Sequence, residues 1–303
     1  MDGEPETAGA ADAAAAELAR LFERERPRLV RVAYATLGSL AEAEDCVQDA
    51  WLRLRRLDDP DEIRDLPAWL TRTVGRLALD ALGSARVRRE RYVGTWLPEP
   101  LVQDTRDWDA DPADRVTMDE QISMALLLVM ESLSPAERTA FLLHDVFGLP
   151  FEEIGEVVGR STVAVRQLAS RARRHVARGR PRFPPAPDEQ RELATAFAAA
   201  CRDGEMDGLM ALLAPGVVLR GDGGGKVSTV PHVLEGAEQV ARFLLSFGGW
   251  PVHGVRTVMV NGSPGFVLRG TDDVLSVVSF TFDDGRIVAV DIIRNPDKLT
   301  GIG

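Results

Sequence analysis

Residues 133–174 read LSPAERTAFLLHDVFGLPFEEIGEVVGRSTVAVRQLASRARR, and this stretch decides the fold of the region around it. Ser134, Pro135 and Glu137 indicate a helix start, because Ser caps the helix, Pro fits its first turn and Glu completes a capping box. A second helix is expected in the middle of the stretch and is broken by Gly159. The pattern therefore predicts a helix, a connection and a helix-turn-helix.

The last helix of this stretch has an apolar face and a basic face. The apolar positions follow the i, i+3, i+4, i+7 spacing of a buried stripe and are Val165, Leu168, Ala169 and Ala172. The opposite face and the helix start carry the side chains that we predict to contact DNA: Ser161, Thr162, Arg166, Gln167, Ser170, Arg171 and Arg174. Residues 160–182 hold eight arginines and no acidic residue. The alternative is a three-helix core whose basic face is only solvated.

The whole chain is acidic, with a net charge of −11 over 303 residues, so DNA binding is expected only at the basic clusters 86–91 and 160–182. The length indicates two or three domains, and no apolar run is long enough to span a membrane. There is no signal-peptide pattern. Cys46 and Cys201 match no metal or redox spacing, so a reduced, cytoplasmic protein is expected.

Two sequence blocks identify a family. The block GSLAEAEDCVQDAWLRL at 38–54, followed by AWLTRTVGRLALDALGSARVRR at 68–89, resembles region 2 of bacterial extracytoplasmic-function (ECF) sigma factors. Residues 133–174 resemble their region 4, and the order and separation of the blocks fit that family.

Three shorter motifs resemble the subgroup called ECF41, in which a SnoaL-like domain follows region 4. They are YVGTWLPEP at 92–100, DGGGK at 222–226 and NPDKL at 295–299. DGGGK lacks the strand–loop–helix context of a phosphate-binding P-loop, so we interpret it as a flexible loop.

The resemblance implies a multidomain fold: two all-α sigma domains, the region 2 helical bundle and the region 4 helix-turn-helix, followed by an α+β SnoaL-like cone of the ketosteroid-isomerase/NTF2 type. The expected boundaries are a disordered tail at 1–13, region 2 at 14–91, a linker at 92–116, region 4 at 117–182 and the SnoaL-like domain at 188–303. From the residues alone, the last domain is expected to place helices first and then an antiparallel sheet, with a hairpin at 283–285.

The resemblance also implies function. A sigma factor binds core RNA polymerase and directs promoter recognition and transcription initiation, through the −10 element by region 2 and the −35 element by region 4. Here the fused domain is expected to modulate activity in cis, without a separate anti-sigma protein and without a membrane. No catalytic activity, cofactor or metal is expected, and a small-molecule ligand of the cone is left open.

Residue roles are carried over position by position. Core-polymerase contacts are expected at Asp45, Gln48, Asp49, Trp51 and Arg55. Contacts to the −10 element are expected at Arg72, Arg76, Arg86, Arg88 and Arg89. Interdomain regulatory contacts are expected at Trp96, Leu97, Pro98, Asp222, Lys226, Asn295, Pro296, Asp297 and Lys298. The hypothesis is a clamp in which 222–226 and 295–299 contact 92–100. The alternatives are a solvated acidic face around a core Trp51 and a plain solvated linker.

Two other functions are disfavoured by the sequence. An enzyme of the ketosteroid-isomerase type would need a deep pocket with a desolvated carboxylate, yet no motif assigns acid–base work to the polar candidates Asp222, Lys226, His232, His253, Asp291 and Arg294. A repressor with a ligand-sensing domain would have no use for the region 2 block.

Overall fold

The computed structural model describes residues 5–57, 59, 63–104, 122–246, 254–270 and 272–302, with side chains from residue 15 onward. The chain divides into two compact units. The first comprises Met1–Ala85 and Ser134–Ala172, and the second comprises Arg86–Leu133 and Arg173–Gly303. No helix among the described residues is long and apolar enough to cross a membrane.

The helices, in chain order, are α1 (Pro5–Leu37), α2 (Leu40–Leu54), α3 (Leu66–Glu90), α4 (Met124–Met130), α5 (Pro135–Phe141), α6 (Phe151–Val158), α7 (Thr162–Gly179), α8 (Pro187–Asp203), α9 (Met206–Leu212) and α10 (Ala237–Ser246). A π-helical turn, Leu142–Val146, continues α5. The strands are β1 (Val102–Asp104), β2 (Leu213–Asp222), β3 (Leu234–Glu235), β4 (Arg256–Val260), β5 (Ser263–Arg269), β6 (Leu275–Asp283) and β7 (Arg286–Ile293). A 3-10 turn, Pro296–Lys298, follows β7.

Helix α1 begins earlier than expected. Disorder was predicted up to residue 13, whereas the helix starts at Pro5. The alanine-rich sequence has high intrinsic helix propensity, so the structure assigns helix to residues for which the sequence analysis expected disorder. Residues 1–4 lie outside the described part of the chain.

The first unit joins helices from the two stretches expected to form regions 2 and 4. In region 2, the Phe22 ring lies 4.8 Å from that of Trp51, which fixes α1 against α2. Arg138 at the end of α5 is buried and donates a hydrogen bond of 3.0 Å to the Thr36 carbonyl in the last turn of α1. That carbonyl has no partner within its own helix, and a cation there is favoured by the helix dipole. Regions 2 and 4 are therefore packed together in this structure.

The helix-turn-helix forms as predicted. Gly159 ends α6 with a φ of 66°, a left-handed conformation in which a residue with a side chain would be strained. Ser161 then caps α7 by accepting a hydrogen bond from the Ala164 amide at 3.3 Å. Ser134 and Glu137 form the predicted capping box at the start of α5.

The second unit is built around one seven-stranded sheet with the order β1-β4-β5-β6-β7-β2-β3. The helices-then-sheet arrangement is confirmed, but the expectation of an antiparallel sheet was wrong for one pair. β2 and β7 run parallel, while the other neighbours are antiparallel. A parallel pair needs a long crossover, and here the intervening strands and α10 supply it.

The two faces of the sheet are covered by different parts of the chain. One face packs against α8, α9 and α10 through a core that includes Phe197, Phe266 and Phe280. The other face packs against Leu97 from the linker, Met124 from α4 and Leu299 after β7. The linker therefore belongs to the C-terminal unit, at least over its described residues.

Candidate nucleic-acid and linker-binding sites

The basic face of α7 lies at the protein surface. Arg166, Gln167 and Arg171 are exposed, while Val165, Ala169 and Ala172 are fully buried beneath them. The other side chains predicted to contact DNA are placed similarly: Ser161, Ser170 and Arg174 are exposed and Thr162 is half-buried. Arg166 and Gln167 lie in the N-terminal part of α7.

Three of the predicted DNA-contacting arginines are paired with acidic side chains of the first unit. Arg166 lies 3.6 Å from Glu152 and Arg171 lies 3.2 Å from Glu137. From region 2, Arg72 lies 3.2 Å from Glu153 of α6. The Arg166–Glu152 pair is exposed and contributes little free energy. Arg72, Glu153 and Glu137 are half-buried.

The basic end of α3 is only partly available. Arg76, Arg86 and Arg88 are exposed. Arg89 differs, because its guanidinium lies 2.6 Å from the Glu131 carboxylate and 3.6 Å from the centroid of the Trp96 ring. The structure therefore places Arg89 within the packing of the second unit and not among the exposed arginines.

The face of α2 predicted to meet core polymerase is also exposed. Asp45, Gln48 and Asp49 point into solvent. Trp51 is half-buried against Phe22, and the Arg55 guanidinium lies 5.9 Å from its ring centroid. Trp51 thus packs between α1 and α2 and remains partly exposed.

A buried carboxylate organises the contacts between the linker, the DGGGK loop and the segment after β7. Asp222, at the end of β2, is 0% exposed. Its carboxylate accepts hydrogen bonds from the Tyr92 hydroxyl at 2.5 Å and the Leu97 amide at 2.9 Å. It also accepts from the Gly224 amide at 3.0 Å and from Lys298 Nζ at 2.7 Å. We call this group of contacts the Asp222 site.

Lys298 is the countercharge of the Asp222 site. Its Nζ donates to Asp222 and to the Leu97 carbonyl, and it lies 4.3 Å from the Trp96 ring centroid and 5.2 Å from that of Tyr92. Burial lowers the pKa of Lys298, while the Asp222 carboxylate opposes that shift. Burial and the hydrogen bond to Asp222 raise the pKa of Tyr92.

Residues 294–302, which we call the tail, are held at the same place. The backbone amides of Arg294 and Asn295 donate to the Asp222 carbonyl at 2.7 and 3.0 Å. The Asn295 side chain donates to the Tyr92 hydroxyl at 2.8 Å. Lys226 and Asp297 form an exposed ion pair with a shortest distance of 2.6 Å. The structure thus brings together the three segments of the hypothesised clamp.

The linker is fixed a second time, further along, as an edge strand. β1 pairs with β4, with Val102 opposite Val260 and Asp104 opposite Val258. Asn261, which sequence reasoning missed, receives the Leu101 amide at 3.1 Å on its side-chain oxygen. Tyr92 was also missed as a site residue, although it opens the YVGTWLPEP motif. Residues 105–116 of the expected linker and 117–121 of expected region 4 lie outside the described residues.

Gly224 offers a direct test of these contacts. It has a φ of +64°, and an added Cβ would lie 2.5 Å from Cγ of Asn295. We expect Gly224→Ala to destabilise tail packing by more than the roughly 1–2 kcal/mol of a left-handed alanine alone. Hydrogen exchange of residues 92–101 would report the loss. The matched control is Gly204→Ala, which has the same left-handed strain at a φ of +73° but nothing within 4 Å of the added Cβ; equal effects of the two substitutions would contradict the expectation.

Asp291 is the carboxylate that most resembles an enzymatic acid or base. It is 0% exposed, and burial raises its pKa, opposed by Arg220, whose guanidinium lies 2.6 Å away. Because Val290 and Ile292 pack toward the helices, alternation turns Asp291 to the opposite face of the sheet. It therefore lies on the face of the sheet opposite to the one that packs against α8, α9 and α10. His253 lies outside the described residues.

Comparison with known proteins agrees with this organisation. The model of the family "Sigma-70 region 2" matches residues 21–88, and that of "Sigma-70, region 4" matches residues 123–176. The chain is 41% identical over 294 residues to the ECF RNA polymerase sigma factor SigJ of Mycobacterium tuberculosis, covering 92% of each protein. It is 34% identical to the probable ECF RNA polymerase sigma factor SigI of the same species, covering 92% of this chain and 93% of that protein.

The crystal structure of Mycobacterium tuberculosis SigJ is similar over almost the whole chain. The TM-score is 0.77 at 38% sequence identity, and the match covers 93% of this chain and 98% of that structure. The similarity therefore includes the sheet-containing unit as well as the helical regions.

Proposed function

The chain belongs to the family of ECF RNA polymerase sigma factors, and we propose that it binds core polymerase and promoter DNA while its C-terminal domain restrains it in cis. In this proposal the exposed acidic face of α2 contacts core polymerase. The basic end of α3 contacts the −10 element, and α7 reads the −35 element. The site of action is the cytoplasm, where the polymerase works, and no separate anti-sigma protein or catalytic step is required.

The packing of the first unit supports a restrained state. By their nominal positions the −10 and −35 elements lie about 25 base pairs apart, which is roughly 85 Å at about 3.4 Å per base pair of B-DNA. In contrast, Arg72 of region 2 and Glu153 of region 4 are in direct contact, and Arg138 is hydrogen-bonded to Thr36. The two regions must therefore separate before both promoter elements can be bound at once.

The proposed restraint depends on where the linker lies. In sigma factors of this family the equivalent segment threads through the polymerase. Here the described part of the linker is held by Asp222, by Lys298 and by strand pairing with β4. One segment cannot occupy both places, so polymerase binding and linker packing compete. The observation that carries the proposal is the buried Asp222 carboxylate, which holds the linker directly and the tail through Lys298.

Run-off transcription with core polymerase tests the proposal. We would use the promoter region upstream of the gene and compare the full-length chain with chains that end before Asn295 or near Pro187. We expect transcripts that depend on the protein, and more of them when the tail is removed, because the Asp222 site loses Asn295 and Lys298. The proposal fails if no version binds core polymerase; equal transcription from all versions would refute control in cis.

A further inference from the structure

The lysines of this protein have an unusual distribution. Of 36 Lys and Arg residues in the chain only two are lysines, Lys226 and Lys298. Both lie where the linker, the DGGGK loop and the tail meet. Arginine stays protonated and offers no nucleophilic amine, whereas the lysine amine can be acylated with loss of its charge. Reagents that acylate side-chain amines can therefore act at this part of the protein alone.

The two lysines are held very differently. The Lys226 side chain is 52% exposed, and among the described residues its ion pair is with Asp297, itself 63% exposed. The Lys298 side chain is 11% exposed, and its Nζ is enclosed by Asp222, the Leu97 carbonyl and the faces of Trp96 and Tyr92. An acyl group on Lys226 would project into solvent. An acyl group on Lys298 would have to enter space already filled by these partners.

The loss of positive charge on acylation also distinguishes Lys298 from Lys226. The Asp222 carboxylate is fully buried, and Lys298 is the cation that compensates it. Acylated Lys298 is neutral, so repacking the tail would leave a buried carboxylate without a countercharge, which is strongly unfavourable. Loss of charge at Lys226 affects only an exposed pair, which contributes little.

We propose that Lys298 is a site of Nε-acylation, open to reaction when the tail leaves the Asp222 site, and that the acyl group keeps the tail from returning. This rests on the proposed control in cis. In the reaction the unprotonated amine attacks the carbonyl carbon of an acyl thioester or acyl phosphate. The C–N bond forms, the C–S or C–O bond breaks, the thiolate or phosphate leaves with the bonding electron pair, and the one proton lost by the nitrogen passes through solvent to the leaving group. Lys226 serves as the matched lysine whose acylation leaves the tail in place.

The first experiment uses full-length protein carrying Nε-acetyl-lysine in place of Lys298 or of Lys226, and measures hydrogen exchange. With the acetyl group at position 298 we expect protection of the Leu97 and Asn295 amides to fall at least tenfold. With the acetyl group at position 226 it should stay within about twofold of the unmodified protein. Unchanged protection in the first protein, or equal losses in both, would overturn the proposal.

The second experiment needs no altered chain. Unmodified protein is treated with acetyl phosphate or, separately, acetyl coenzyme A, alone and with core polymerase and promoter DNA, and both lysines are followed by mass spectrometry. We expect Lys226 to react equally in both states and Lys298 at least tenfold faster when polymerase is bound. If Lys298 reacts as fast as Lys226 in the free protein, the proposal is wrong. Tail release by acetylation without any change in transcription would support the proposal and count against control in cis.

Discussion

Asp222→Asn is expected to release the linker and the tail together. The substitution keeps the size of the side chain but removes the negative charge that Lys298 needs, and it presents an amide donor where Tyr92, Leu97 and Lys298 all donate. Breaking one partner of a buried ion pair typically destabilises by about 3–5 kcal/mol. Protection of the Leu97 amide against hydrogen exchange should therefore fall by roughly a hundredfold or more, and transcription with core polymerase should rise.

The matched control for this result is Asp297→Asn, which removes a carboxylate from the other lysine pair of the same site. Lys226 and Asp297 are both exposed, so protection of Leu97 should change by less than about threefold. Equal effects of the two substitutions would mean that the site is a diffuse charged patch and that the buried carboxylate has no special role. Loss of helical signal from the whole protein would instead indicate general unfolding.

The parts of the fold that could be predicted from sequence are those with local signals. The capping box at Ser134, the Gly159 turn and the apolar stripe of α7 each depend on residues within a few positions of one another. The interactions that form these features involve only residues close together in sequence, and the structure confirms all three features. The short Pro150–Gly159 segment was likewise readable because its ends are marked by a proline and a left-handed glycine.

The parts that sequence could not predict depend on partners far away in the chain. β1 is three residues long and has no alternating pattern, and it becomes a strand only because the edge of β4 offers hydrogen bonds. The parallel pairing of β2 with β7 could not be predicted either, because the sequence of neither strand specifies which strand lies beside it. Strand partners are decided by the packing of the whole sheet.

The Asp222 site falls between these cases. The family resemblance identified the segments 92–100, 222–226 and 295–299, and the structure brings them together. The hydrogen bonds of individual atoms could not be predicted from the sequence. Lys298 was expected only as a regulatory contact residue, and the sequence did not indicate that two aromatic rings and a buried carboxylate would enclose it. Arg89 was assigned to DNA from its position in a basic run, whereas it packs on Trp96 in this structure. A run of basic residues in the sequence does not by itself show which of its side chains is buried.

Arg166→Ala is expected to reduce promoter-specific transcription more than any other single change on α7. Arg166 lies near the N-terminal end of the helix, exposed, with its guanidinium 3.6 Å from Glu152 and 5.5 Å from the Phe151 ring centroid. The Arg166 side chain is 60% exposed, so its guanidinium is accessible to a base edge. A base contact by arginine contributes about 1–3 kcal/mol of discrimination, so transcription from a cognate promoter should fall roughly 5- to 150-fold.

The control is Arg178→Ala, which removes the same charge from the last turn of α7, away from the end that enters the groove. Removing a phosphate-binding side chain there should weaken binding alike on cognate and altered −35 sequences and should lower its salt dependence. Run-off assays on both promoters at fixed salt separate the two variants. If Arg166→Ala weakened both promoters equally, Arg166 would be a phosphate contact, and sequence reading by α7 would have to rest on Gln167 and its neighbours.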